Sequence, residues 1–240
     1  MEGNMKLNAV LFDLDGTLLP MDQDLFMKYY FGELAKKLVP LGYSKDTLVA
    51  DVWTGTKAMV MNDGSKTNEE AFWDKFATLV GEDCRKDLPV FDEFYRNEFC
   101  KAINACQPTT AAKEVIDLLK ASGKRIILAT NPLFPAVATE NRIGWAGLST
   151  DDFELITTYE NSCYCKPNPK YYMEILEKTG LKPEECLMVG NNAEEDMITE
   201  TLGMKVFLLT DCLINEKNAD ISKYPQGGFE ELKNYITRLL

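Results

Sequence analysis

Asp13-Leu14-Asp15-Gly16-Thr17 sets two carboxylates two positions apart, directly after the apolar run Ala9-Val10-Leu11-Phe12. If that run is a strand of a parallel sheet, the pair stands at its carboxyl end, where open α/β sheets form their binding crevice. Two carboxylates there can divide the work. One attacks an electrophile such as phosphorus, and the other moves a proton. Unscreened, they would repel each other, so a divalent cation among oxygen ligands is expected. Gly16 lets the backbone turn sharply. The same five residues also read as an ordinary Asp-Gly turn closing a strand.

Three later segments offer matching chemistry. Ala129-Thr130-Asn131-Pro132 follows a second apolar run, and a hydroxyl with adjacent backbone N–H groups there can hold a phosphate oxygen. Lys166-Pro167-Asn168-Pro169 puts a cation directly before two prolines, ahead of a helix. Such a Lys can neutralise a carboxylate and a phosphate together, although most Lys side chains are simply solvated. Val189-Gly190-Asn191-Asn192 ends another run, with Glu194, Glu195 and Asp196 following. Acids there suit a hard cation, or merely the N-terminus of the next helix.

The elements that must position these residues alternate. Apolar runs at Ala9–Phe12, Ile126–Ala129, Leu187–Val189 and Val206–Leu209, with a weaker one at Leu155–Thr158, are separated by helical patterns at Thr110–Ala121, Pro169–Thr179, Ala193–Leu202 and Phe229–Leu239. That alternation predicts a doubly wound parallel α/β sheet. Thr109 or Thr110 can cap one helix, and Asn168-Pro169 can open another that Gly180 closes. Between the first strand and Gln107-Pro108 the patterns are helical only: Asp24–Leu38, Thr47–Met61, Glu69–Val80 and Phe91–Ile103. The expected division is an α/β core from residues 1–18 and 108–240, with an inserted all-helical cap over residues 19–107. Inside that block, Trp53 is expected in the core and Lys57 in solvent. Phe26, Tyr29, Tyr30 and Phe31 read as cap packing.

Composition narrows the chemistry. The 240 residues contain no His, which removes Ser-His-Asp and Cys-His catalysis and His-ligated metals. A net charge of −12 argues against nucleic acid, and no apolar run approaches the ~20 residues of a membrane helix. Met1–Met5 show no secretory pattern, so the seven Cys read as reduced cytoplasmic thiols. Cys163-Tyr164-Cys165 lacks the second pair a zinc site needs.

Taken in order, the four motifs resemble those of the haloacid-dehalogenase superfamily, over nearly the whole chain and with the cap insertion included. The resemblance implies a Mg²⁺-dependent phosphatase acting on a small phosphorylated metabolite. Asp13 would be the nucleophile, forming an aspartyl-phosphate. Asp15 would be the general acid and then the base, offering Mg²⁺ its backbone carbonyl. Thr130, Asn131 and Lys166 would hold the phosphoryl group. Asp13, Asp15, Asp196 and Asn191 would surround the metal, with Glu195 as the second choice to Asp196. The dehalogenases of the family lack the second Asp that Asp15 supplies. Asn191 stands where the family usually has Asp, which leaves a weakly active or inactive ligand-binding relative as one alternative. A phosphomutase using the same intermediate is another.

Overall fold

The computed structural model describes residues 7–240. Met1–Met5, read above for a secretory pattern, lie outside the described residues. Six strands form one sheet: β1 (Ala9–Phe12), β2 (Arg125–Leu128), β3 (Leu155–Ile156), β4 (Cys186–Gly190), β5 (Lys205–Leu209) and β6 (Gln226–Gly227). Their order is β3-β2-β1-β4-β5-β6, and every pairing is parallel. β1 is therefore central, and the chain steps outward from it in both directions. Alternate residues of β1 serve opposite faces. Val10 and Phe12 join one apolar cluster, Ala9 and Leu11 the other, as a strand covered on both sides requires.

Between β1 and α5 (Thr110–Ala121) lie four α-helices: α1 (Gln23–Leu38), α2 (Leu48–Val60), α3 (Asn68–Val80) and α4 (Leu88–Arg96). The two chain segments joining this block to the sheet run side by side. Asp22 N–H donates to the Ala105 carbonyl at 2.9 Å and Gln107 N–H to that of Pro20 at 2.7 Å. After β2 come α6 (Ala136–Trp145), α7 (Pro169–Thr179) and the closing α8 (Phe229–Leu239). Thr109 caps α5 through the Ala111 N–H, Asn168 caps α7 through that of Lys170, and Gly180 ends α7 in the left-handed conformation.

Three elements differ from the sequence pattern, each for a local reason. Ala193–Leu202 forms turns and then a 3-10 segment, Met197–Leu202, rather than an α-helix. The Asn192 side chain accepts the N–H groups of both Glu194 and Glu195, at 2.9 and 3.1 Å, and such local bonds compete with helical ones. Phe91–Ile103 divides at Asn97, whose side-chain amide donates to the Glu93 carbonyl at 3.0 Å, and continues as a 3-10 segment, Glu98–Ala105. Helix α6 has no start signal in its own sequence. The Glu160 carboxylate, 24 residues on, accepts its first N–H at Ala136, 2.9 Å away.

The helical block and the sheet share one apolar cluster. Phe99, fully buried, packs against Phe26 and Tyr30 of α1 and against Phe134 and Trp145 at either end of α6, with ring centroids 5.4–6.0 Å apart. Truncating such a ring removes contacts on both sides of the junction at once. Phe99→Ala should therefore lower stability by about 3–5 kcal/mol in urea denaturation. An unchanged midpoint would show that the two parts do not share this core.

Candidate active site

The ends of β1, β2 and β4 converge. Asp13 follows β1 directly, its N–H bonded to the Val189 carbonyl at 2.9 Å. The chain then folds back tightly, with Leu14 accepting from both Thr17 and Leu19. Gly16 at the bend has φ +83°, and a Cβ there would stand 2.3 Å from the Asn191 side-chain nitrogen. Only glycine fits both the conformation and the close approach. Gly190 serves the other side of the site. A Cβ on it would meet the Asp196 carboxylate at 2.1 Å, so the missing side chain is what lets that acid tuck against β4.

Lys166 is the hub. Its ammonium donates to Asp13 Oδ1 at 2.8 Å and to Asp196 Oδ1 at 2.6 Å, with 1% of its side chain exposed. Burial by itself would drive the Lys166 pKa down, but the two carboxylates overcome this and hold it well above the usual lysine value. Asp196 is raised by the same burial, against the pull of Lys166. Its second oxygen accepts the Asn192 N–H at 3.0 Å, and the Tyr172 hydroxyl lies 3.4 Å from the first. Asp13 Oδ2 faces the Thr17 hydroxyl at 3.1 Å, and that hydroxyl stands equally far from Asn191 Oδ1. One proton serves two acceptors there, which keeps both oxygens beside each other.

Thr130 is buried at the end of β2. Its carbonyl is fixed by the hydroxyls of Thr157 and Tyr171, each at 2.8 Å. Asn131 ties the neighbouring loops together. Its carbonyl oxygen accepts the Lys166 N–H at 3.2 Å, and its amide donates toward Glu195 at 3.3 Å. Burial raises the Glu195 pKa. Asp13, Asp15, Thr130, Asn131, Asn191, Glu195 and Asp196 thus all line one cleft of about 330 Å³. Lys166 sits beneath it.

Asp15 points differently. It pairs with Arg142 of α6, a residue that sequence reasoning misses because α6 has no start signal of its own. Arg142 is buried at 1% exposure, over the Phe134 ring at 4.7 Å, and donates to the Ala138 carbonyl and the Thr139 hydroxyl. Asp15 keeps 26% of its side chain open, yet its Oδ1 is buried with no partner. Burial raises its pKa, while Arg142 works in the other direction. Raised is the direction a proton donor needs near neutrality.

Trp53 corrects an expectation. It is 49% exposed and lines the cleft from α2 rather than filling the core. Lys57 is exposed as expected. The seven Cys are unpaired, and Cys165 is buried beside the Asn68 amide.

Replacing Arg142 with Met would leave the Asp15 carboxylate without the cation it pairs with. Breaking a buried pair this way costs about 3–5 kcal/mol, and the lower end applies because Asp15 still reaches the cleft. Arg142→Met should therefore lose about 3 kcal/mol in chemical denaturation. A loss no larger than an exposed ion pair gives, under about 1 kcal/mol, would mean that the pair holds nothing in place.

Comparison with known proteins bears on the family and the fold. A family model described as haloacid dehalogenase-like hydrolase matches residues 7–199. Phosphoglycolate phosphatase from Colwellia psychrerythraea is 26% identical over 234 residues, covering 96% of each chain. Pyrophosphatase PpaX from Oceanobacillus iheyensis is 24% identical over 239 residues, covering 97% of each. The crystal structure of 2-haloacid dehalogenase from Pseudomonas syringae superposes with a TM-score of 0.61 at 18% identity, covering 98% of this chain and all of that one, which shows a shared fold. The chain belongs to the haloacid dehalogenase-like hydrolases.

Proposed function

We propose that this hydrolase is a Mg²⁺-dependent phosphatase that cleaves a small phosphorylated metabolite through an aspartyl-phosphate on Asp13. One observation carries the reading. Asp13 has one oxygen fixed by Lys166 and the other by Thr17, at the floor of a cleft large enough for a small metabolite. That is a carboxylate held for attack. The names of the relatives, phosphoglycolate phosphatase and pyrophosphatase, support phosphate chemistry.

In the proposed reaction an Asp13 oxygen attacks phosphorus and the bond to the leaving oxygen breaks. Asp15 gives its proton to that oxygen, releasing the alcohol. Asp15 then takes a proton from water as the water oxygen attacks the aspartyl-phosphate, freeing Asp13 and inorganic phosphate. Lys166 balances charge on Asp13 throughout, and Thr130 and Asn131 hold phosphoryl oxygens. Arg142 sets where Asp15 points. Residues 19–107 would act as the cap that shields the site from water.

The residues present fit a hard cation. Among the described residues no three His, Cys, Asp or Glu side chains cluster as a metal site, but Asp13 and Asn191 present oxygens to one hydroxyl. With the Asp15 carbonyl and Asp196, they would make an oxygen-only set, which suits Mg²⁺ better than Zn²⁺. When bound, the cation would offset charge on the transferring phosphoryl group. The seven cysteines are free, in keeping with the cytoplasmic setting proposed for the chain.

Asp13→Asn should abolish phosphate release from any substrate found in a Mg²⁺ screen, while beryllium fluoride should label wild-type Asp13. Asp15→Asn should be slower by roughly 10²–10⁴-fold. Wild-type turnover by Asp13→Asn would rule out this mechanism.

Asn191 is what favours a weakly active relative instead, and its surroundings sharpen the test. Its amide donates to the Cys212 carbonyl at 2.7 Å. Asn191→Asp would add a charge toward the cation but set two acceptors face to face. We expect tighter Mg²⁺ binding by calorimetry, together with about 1–3 kcal/mol lower stability without Mg²⁺. Weaker or equal Mg²⁺ binding would show that Asn191 does not face the metal.

A further inference from the structure

Two cavities share part of their walls beside the helical block. The catalytic cleft is acidic and polar at its floor, but its remaining wall is Met21, Phe26, Met27, Trp53, Leu133 and Ile214, with Gln23 alone as a polar residue from the helical block. None of the described residues lining it is basic. The two cations nearest the chemistry are already engaged, Lys166 by Asp13 and Asp196, and Arg142 by Asp15. Met27, Trp53 and Leu133 also line a second, smaller cavity of about 50 Å³, walled by Tyr30, Phe72, Trp73 and other aromatic rings. The apolar wall of the cleft therefore continues into an aromatic chamber.

A phosphate ester carrying a second anion, such as a carboxylate or another phosphate, would have to set that charge against this wall. It would find no cation there, and it would face Asp15 and Glu195 across the cleft. Buried charge without a partner is strongly disfavoured. An uncharged apolar group loses nothing by leaving water and gains contact with the half-exposed Trp53 indole. Trp73 is 5% exposed in the chamber wall, with its indole N–H turned toward Tyr159.

We propose that the substrates of this enzyme are phosphomonoesters of uncharged aromatic or similarly apolar alcohols, and that Trp53 selects them over dianionic small esters. This inference rests on the phosphatase reading and narrows it.

The test uses the purified chain with Mg²⁺ and four probes: benzyl phosphate, ethyl phosphate, phosphoglycolate and pyrophosphate. The three esters all release an ordinary aliphatic or benzylic alcohol, so differences among them report recognition more than bond strength. Benzyl phosphate should exceed ethyl phosphate in kcat/KM by at least roughly tenfold, on the scale of a few methylenes in an apolar pocket. Phosphoglycolate and pyrophosphate should fall below ethyl phosphate. Trp53→Ala should collapse the benzyl-to-ethyl ratio toward one, and Trp53→Phe should restore most of it. Trp53→Arg should raise the phosphoglycolate-to-benzyl ratio. A wild-type benzyl-to-ethyl ratio near one, or preference for phosphoglycolate or pyrophosphate, overturns the inference while leaving the phosphatase reading intact. Turnover of none of the four overturns both.

Discussion

Everything at the site hangs on one buried ammonium. Lys166 has almost no contact with water, and it survives there because two carboxylates from different strands close on it. Asp13 arrives from β1 and Asp196 from the loop after β4, neighbours in the sheet. The charge triad thus staples the carboxyl ends of two central strands with a residue from a third segment. Removing the ammonium would leave the two buried carboxylates without the cation that holds them together. Gly190 and Gly16 are the backbone side of the same constraint, since Asp196 and Asn191 occupy the space their side chains would take.

The parts of the fold visible in the sequence were those with local causes. β1, α5, α7 and α8 could be placed because short apolar runs, Thr109, Asn168-Pro169 and Gly180 carry their own punctuation. The acidic pair, Thr130 and Asn191 could be singled out for the same reason, as polar residues following apolar runs, and Lys166 because two prolines follow it ahead of α7. What was hidden depends on distant partners. α6 begins on a carboxylate 24 residues further along, so Arg142 had no helix to belong to. Ala193–Leu202 looked helical by its apolar spacing, but Asn192 captures the N–H groups a helix would need. Trp53 reads as a core residue in any window of sequence. Only the packing of α1, α2 and the β2–α6 loop leaves its ring at the edge of the cleft.

The cation at Asp15 comes from the sheet side, and the apolar wall comes mainly from the helical block. On the proposed reading, chemistry and recognition are divided between two parts of the chain, in keeping with a fold in which the site, not the scaffold, carries function. The division is not complete, because Phe99 and its neighbours make one apolar mass of both parts.

The stretch from Thr157 to Lys166 touches every one of these parts. Tyr159 donates its N–H to Phe134 and accepts one from Glu69, Ser162 accepts from Asn68, and Glu160 opens α6. Its far end is Lys166. Ten residues with little regular structure of their own therefore act as a shared joint among the sheet, the helix that carries Arg142 and the helical block. Modularity in this fold is bounded by that joint. A helical block exchanged for one from a relative would arrive without the Asn68 and Glu69 backbone contacts that this joint was shaped to meet, and the misfit would be passed along it to the ammonium beneath Asp13.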